Sequence, residues 1–252
     1  MFVASLWRYP VKSLQGEMVA RVDLVESGIV GDRSFGILDL ASGAIASAKR
    51  YGELLQASAY LSSDGVAVRV PGGSELGPGA ELDERLSEWR GRPSRLVSFD
   101  EFGVATFESQ NDFEDDDSSP HSWTGPEGSF TDSRPVHLLG TGELGAAASE
   151  RPDLQWDVRR FRPNILIEDR HGDGSLTALA PGTIVELGQA RLRVDKPCQR
   201  CVMPTRPQPG GLERQLDVLR HLHAVRGNDL GLLATVERAG TIGVGDEVRA
   251  LA

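Results

Sequence analysis

Two cysteines, Cys198 and Cys201 in the run Cys198-Gln-Arg-Cys201, are the chain's whole supply of thiols. A C-x-x-C pair can serve as a redox dithiol, as half of a metal site, or as two incidental thiols. Pro197 precedes the pair and Met203-Pro204 follows it. No helix starts well between those prolines, which counts against the thioredoxin-like arrangement in which the dithiol opens a helix. A zinc site would need further ligands. His221 and His223 are available, but their segment reads helical, and residues two apart share a side only on a strand. They are expected at the surface or in packing. Lys196, Arg200 and Arg206 flank the cysteines. Positive charge lowers a thiol's pKa and favours the thiolate, the metal-binding and nucleophilic form.

Two further kinds of motif could carry chemistry. Gly140-Thr-Gly142-Glu-Leu-Gly145 follows the apolar run Val136-His-Leu-Leu139 and precedes a helix-like stretch. That is the formal setting of a dinucleotide fingerprint, and Asn164-Ile-Leu-Ile-Glu168 would close a βαβ unit. The helix has barely two turns before Pro152, and no second βαβ half is visible, so dinucleotide binding is not expected. The other kind is a scatter of cations: Tyr9-Pro-Val-Lys12-Ser13, Gly31-Asp32-Arg33, and Arg159-Arg160-Phe161-Arg162-Pro163-Asn164. Lys and Arg with hydroxyl and amide donors are what an anionic, phosphate-bearing ligand requires. Taken singly, each reads as an ordinary turn with a surface salt bridge.

The elements that must position these residues are mostly strands. Short apolar runs such as Phe2 to Trp7, Met18 to Val25, Phe35 to Leu40 and Val66 to Val70 are separated by Gly, Pro, Asp and Ser. Helical signals are few. Leu82, Leu86 and Trp89 make one amphipathic face, Gly142 to Arg151 is Ala-rich, and Leu212 to Ala224 carries leucines at threes. Glu108 to Gly128, with its acidic run Asp112 to Asp117, is expected to be a long exposed loop and the boundary between two domains, 1–110 and 111–252. Strands outnumber helices without alternating with them, which favours a β-rich α+β fold.

Composition narrows the function. The chain has 252 residues, with 27 Lys+Arg against 37 Asp+Glu, a net charge of −10. An acidic balance argues against bulk nucleic-acid binding, so no nucleic-acid partner is expected. Two cysteines cannot build a four-thiolate zinc site or iron–sulfur cluster, nor a disulfide scaffold, which points to a reducing compartment. No secretory signal and no stretch of about 20 apolar residues is present, so the protein is expected to be cytoplasmic and not membrane-bound.

In combination these segments resemble the MOSC superfamily, named for the C-terminal domain of molybdenum-cofactor sulfurase. The layout is similar to that of the mitochondrial amidoxime-reducing component and its bacterial relatives, in which an N-terminal β-barrel module precedes the MOSC domain. The resemblance rests on Tyr9-Pro-Val-Lys-Ser13, Gly31-Asp-Arg33, Phe130-Thr-Asp-Ser-Arg-Pro-Val-His-Leu-Leu139, Phe161-Arg-Pro-Asn164 and Cys198-Gln-Arg-Cys201, in that order, and on the ending Gly240 to Asp246. It implies a molybdenum cofactor with Cys201 as metal ligand. It places Lys12, Ser13 and Arg33 on the cofactor's phosphate and pterin. Asp132, Ser133 and Arg134 match a contacting loop, and Arg162, Asn164, Gln199 and Arg200 the remaining contacts. Asp132 is the nearest acid–base candidate by motif, with turn capping as the alternative. Cys198 is given no direct role.

The activity the resemblance implies is reduction of small N-hydroxylated compounds such as amidoximes or hydroxylamines. Electrons would come from a separate protein: a cytochrome b5-like donor, a ferredoxin or a flavoprotein reductase. A non-catalytic carrier of the cofactor or of sulfur is the alternative. The chain departs from the family where a Trp often precedes the cysteine loop; Leu179 to Val185 stands there instead.

Overall fold

Arg21–Val25 alternates exposed and buried side chains, with Val22 and Leu24 turned inward. A period of two puts one face of a strand in the core and the other in water. The same logic runs through most of the chain in a computed structural model, which describes residues 1–115, 117–169 and 175–251. The fold is α+β and β-rich, with a few short helices.

Its largest element is an eight-stranded sheet. The strand order is Val248–Leu251, Ile184–Leu187, Ala190–Gln199, Asp229–Arg238, Val136–Gly140, Ile165–Glu168, Phe2–Arg8 and Glu17–Val19. Neighbours run antiparallel except Val136–Gly140 and Ile165–Glu168, which are parallel and joined across the helix Thr141–Glu150. A parallel pair needs such a crossover, so the βαβ unit that the sequence allows, but that its short helix counts against, does form. Val3, Leu6, Leu138, Ile165, Ile167, Val185, Leu192 and Ala234 fill the core on this sheet. A second core, around Leu14, Ile37, Leu54, Leu55, Val68 and Leu86, belongs to the N-terminal module. Segments from both ends of the chain share sheets. Phe2–Arg8 pairs with Ile165–Glu168, and Arg21–Val25 pairs with Gly240–Gly243. No helix among the described residues is long and apolar enough to cross a membrane.

Two local expectations shift. The helix expected from Leu212 starts at Leu216. Gly210 and Gly211 take left-handed φ values of 79° and 82°, and Gln208 bridges to Leu212, so the chain is a turn there. The expected loop from Glu108 to Gly128 is instead largely a hairpin, Thr106–Gln110 with Pro120–Thr124. Phe107 is buried and meets the Trp123 ring edge-on, with centroids 5.5 Å apart. An aromatic pair across two strands holds the ladder closed. Among the described residues, 111–115, 117–119 and 125–128 lie outside the hairpin's strands, and Asp116 is not among the described residues.

Candidate functional site

Ser13, Arg33, Arg162 and Asn228 are the non-glycine residues with positive φ among the described residues, at 69°, 49°, 53° and 76°. A side chain in this region costs on the order of 1 kcal/mol or more, and persists where the surroundings over-determine it. Arg33 is held by its amide, which donates to the Tyr9 carbonyl at 2.7 Å. Arg162 caps the short helix Val158–Phe161 in the left-handed conformation. Ser13 accepts from the Ala48 amide at 2.9 Å. Three of these four strained residues open onto one cavity of about 510 Å³.

That cavity collects the candidates from every part of the chain. Lys12, Ser13 and Arg33 come from the N-terminal module, and Asp132, Ser133 and Arg134 from the turn before Val136–Gly140. Arg162 and Asn164 follow the short helix, and Gln199, Arg200 and Cys201 end the strand Ala190–Gln199. The structure therefore brings all eleven residues together. Arg134 is additionally paired with Asp195 at 2.9 Å, and exposed Gln199 pairs across the sheet with Asp229.

Buried polar joints fix the walls. Asn164 is 1% exposed, and its Oδ1 accepts from Arg33 at 3.2 Å and from the His137 amide at 3.1 Å. Arg162 donates to the Leu14 carbonyl at 2.7 Å and lies 4.1 Å from the Tyr9 ring centroid. Arg33 pairs with Asp32 and lies 4.8 Å from the same ring. Tyr9 is thus an aromatic hub for two guanidiniums. Its own hydroxyl donates to the Pro163 carbonyl at 3.1 Å, and burial pushes its pKa well up.

Charge in the cavity is mostly positive. Lys12 is buried, with its ammonium 3.8 Å from the Phe107 ring centroid and bonded to the Phe130 carbonyl at 2.9 Å. Burial lowers its pKa to about 8, against the pull of Asp132 and with help from Lys49. Burial also lowers Arg162, to about 10, so it stays charged at neutral pH. Asp132 is clamped by Lys12 and, at 3.0 Å, by Lys49. Burial alone would raise its carboxyl, but the two lysines outweigh it and hold the group far below the usual range. An acid held ionised has no proton to give, so Asp132 acts here through charge on the lysines. Burial, then Arg200, keeps His137 neutral.

The cations around the cysteines do not fall where the flanking sequence suggests. Arg200 donates to Cys198 Sγ at 3.0 Å, and Cys198 is buried, with burial raising its pKa. Arg206 is turned away, its guanidinium on the Lys49 carbonyl at 3.0 Å. Cys201 is half-buried and lines the cavity. Lys49 joins Lys196 and Arg200 in the cavity wall with it: burial opposes the Lys49 ammonium, but Asp132 and then the two thiols hold its pKa up. Lys49 sits in Ala46-Ser-Ala-Lys-Arg50, where no motif marks it. It reaches the site because Ser13 docks the Ala48 amide. His137 was also missed, although a histidine inside the apolar run Val136 to Leu139 was a usable signal.

The glycine motif has a different use. The Gly142 amide donates to Asp169 Oδ1 at 2.7 Å. A Cβ at Gly140 would come within 2.6 Å of the same carboxylate. Asp169 therefore fills the helix N-terminus that a pyrophosphate would need. His221 is paired with Glu150 at 2.9 Å on the helix Leu216–Arg226, away from the cysteines.

Lys12 makes the cavity's anion affinity pH-dependent. Its ammonium is charged below about pH 8 and loses its proton above it. A phosphate monoester is already close to dianionic there, because its second pKa is about 6. Affinity for a phosphate monoester such as phenyl phosphate, measured by calorimetry, is therefore expected to hold nearly level from about pH 7 to 8 and to fall by up to about tenfold per unit above that. Lys12→Met should be weaker and flat across the same range. A wild-type affinity unchanged to pH 9.5 would exclude Lys12 from the contact.

The fold and this cavity define a β-barrel protein with a polar, cationic small-molecule site that presents one accessible thiol. A family model described as MOSC domain matches residues 126–249, and one described as MOSC N-terminal beta barrel domain matches residues 1–110. The chain belongs to the MOSC family, whose domain is associated with the molybdenum cofactor. Among solved structures, it is similar to the YuaD protein from Bacillus subtilis, at 15% identity and a TM-score of 0.51, over 98% of this chain and 93% of that one. Likeness at this level shows the fold alone. YiiM from Geobacillus stearothermophilus is 18% identical with a TM-score of 0.38, over 47% of this chain and 55% of that one, and carries no argument. No curated protein matches the chain.

Proposed function

We propose that the cavity holds a molybdenum cofactor and that the protein reduces small N-hydroxylated compounds such as amidoximes and hydroxylamines. One observation carries the reading: the accessible thiol of Cys201 shares a cavity with the cations Lys12, Arg33 and Arg162. A soft thiolate at one place and phosphate-matched cations at another suit two parts of one ligand. The donor set fits in a second respect. Among the described residues no three His, Cys, Asp or Glu side chains are grouped to hold a metal. A single thiolate suits a metal that arrives with its other ligands on an organic cofactor.

In this reading Lys12, Arg33 and Arg162 hold the phosphate, while Ser13, Asn164 and the turn Asp132 to Arg134 hold the pterin. Cys201 supplies the protein's bond to the metal. The bound cofactor would supply two-electron chemistry suited to cleaving an N–O bond. Lys49 would orient the substrate oxygen and offer it a proton from an ammonium kept charged by Asp132. Cys198 also borders the cavity, but it is buried and engaged by Arg200, so Cys201 is the more accessible thiol of the pair. Electrons would come from a separate protein of the cytochrome b5, ferredoxin or flavoprotein class.

The test is metal analysis of protein made in a host that synthesises molybdopterin, followed by benzamidoxime with a chemical electron donor. Near-stoichiometric molybdenum and formation of benzamidine are expected. Protein without molybdenum would sink the proposal. Molybdenum without benzamidine would leave a carrier.

A further inference from the structure

A second cavity, of about 360 Å³, also borders Cys201. It shares Lys49, Arg200 and Cys201 with the first cavity, and the rest of its lining is different in kind. Phe113, His121 and Trp123 give it flat aromatic surface from the hairpin, and Val202 and Leu219 give it apolar surface. Its remaining polar groups are neutral hydroxyls and amides, and among the described residues no carboxylate lines it. A volume of this size accommodates a small organic molecule.

Lys49 stands at the join. Its ammonium lies 4.0 Å from the Trp123 ring centroid and 3.0 Å from Asp132 Oδ2. It therefore belongs at once to the aromatic chamber and to the cationic one. The platform around it is anchored. Asn111 Oδ1 meets His121 Nδ1 at 3.1 Å, and Gln110 donates to the Arg50 carbonyl at 2.7 Å. Glu114 near the hairpin tip pairs with Arg220 of the helix Leu216–Arg226 at 2.6 Å. Aromatic surfaces held in place favour a flat ligand, because little ordering is left to be done on binding. The electrostatics narrow the class further. An anion is better matched by the first cavity, and a strong cation is repelled by Lys49 and Arg200.

We infer that this chamber is where substrate enters, and that it selects N-hydroxylated compounds with a flat, neutral, aromatic body whose oxygen lies toward Lys49 and Cys201. The inference rests on the reductase reading for its chemistry, but its geometry can be tested without turnover. Benzamidoxime and acetamidoxime carry the same N-hydroxyl group and differ in the body, phenyl against methyl. Calorimetry with cofactor-loaded protein is expected to show benzamidoxime binding at least roughly tenfold more tightly. Trp123→Ala should remove most of that preference. His121→Ala, at an exposed position that leaves the core intact, should reduce it.

Equal affinity of the wild type for the two compounds, or a preference that survives in both variants, overturns the chamber. Failure of benzamidoxime to bind does so too. Discrimination in binding with no benzamidine formed would count against the reductase reading and leave the chamber standing. Turnover of both compounds with equal affinity would do the reverse.

Discussion

Replacing Cys201 by serine is expected to strip molybdenum from the protein while leaving its fold unchanged. A hydroxyl is not ionised near neutral pH, and its oxygen is a hard donor where a thiophilic metal prefers sulfur. The side chain is half-buried and its removal opens no core cavity, so the melting temperature should move little. Metal content should fall at least roughly tenfold, and benzamidoxime reduction with it. Cys198→Ser is the control. That thiol is 8% exposed and engaged by Arg200, so most of the metal should remain. Metal analysis of the three proteins decides the matter. Equal losses in both variants would mean that the cysteines act as a redox pair.

Arg160→Met is expected to give the largest loss of stability. Arg160 is fully buried, at 0% exposure, and bonds mainly to carbonyls. Its guanidinium donates to Gln155 O at 2.9 Å, Pro204 O at 3.0 Å, Arg206 O at 3.3 Å and Glu213 O at 2.8 Å, and to Gln155 Oε1 at 2.8 Å. Three of those carbonyls lie in the loop that follows Cys201, so one side chain pins the segment that aims the thiol. Methionine fills much of the volume but leaves these acceptors unpartnered. The cost should be about 3–5 kcal/mol, or a fall in melting temperature of roughly 10 °C for a chain of this size. Lysine should not rescue it, because a point charge cannot reproduce the planar fork. A thermal melt within a degree or two of wild type would show that the hub carries no weight. Lower molybdenum loading of whatever Arg160→Met protein folds is expected as well, since the loop is then free to move.

The strands and their inward faces were legible because a period of two is written in the local sequence, as in Arg21 to Val25. The helix start at Leu216 was not, because the two glycines ahead of it decide it through backbone freedom that leucine spacing does not report. The hairpin at Thr106 to Thr124 was hidden by its acidic tip. Its closure depends on Phe107 meeting Trp123, a contact between residues far apart in the chain. At the site, Lys12, Arg33 and Arg162 announce themselves in motifs. Lys49 does not, because only the fold carries it to Asp132. Arg160 sits inside a visible motif, yet its neighbours Arg159 and Arg162 look the same on paper. Arg159 turns to the surface carboxylate of Asp157, Arg160 to buried carbonyls and Arg162 to the cavity. Which arginine goes where is settled by one short helix and its left-handed end.

That left-handed backbone has a consequence for anyone trying to improve the protein. Ser13, Arg33 and Arg162 hold conformations that glycine would adopt with far less strain. Glycine there would relieve the backbone but would also delete the joints Ser13 to Ala48, Arg33 to Asn164 and Arg162 to Leu14 that fix the walls. Backbone ease and side-chain grip pull against each other at the same three α-carbons. An engineer should freeze those positions and look for gains in the module core instead.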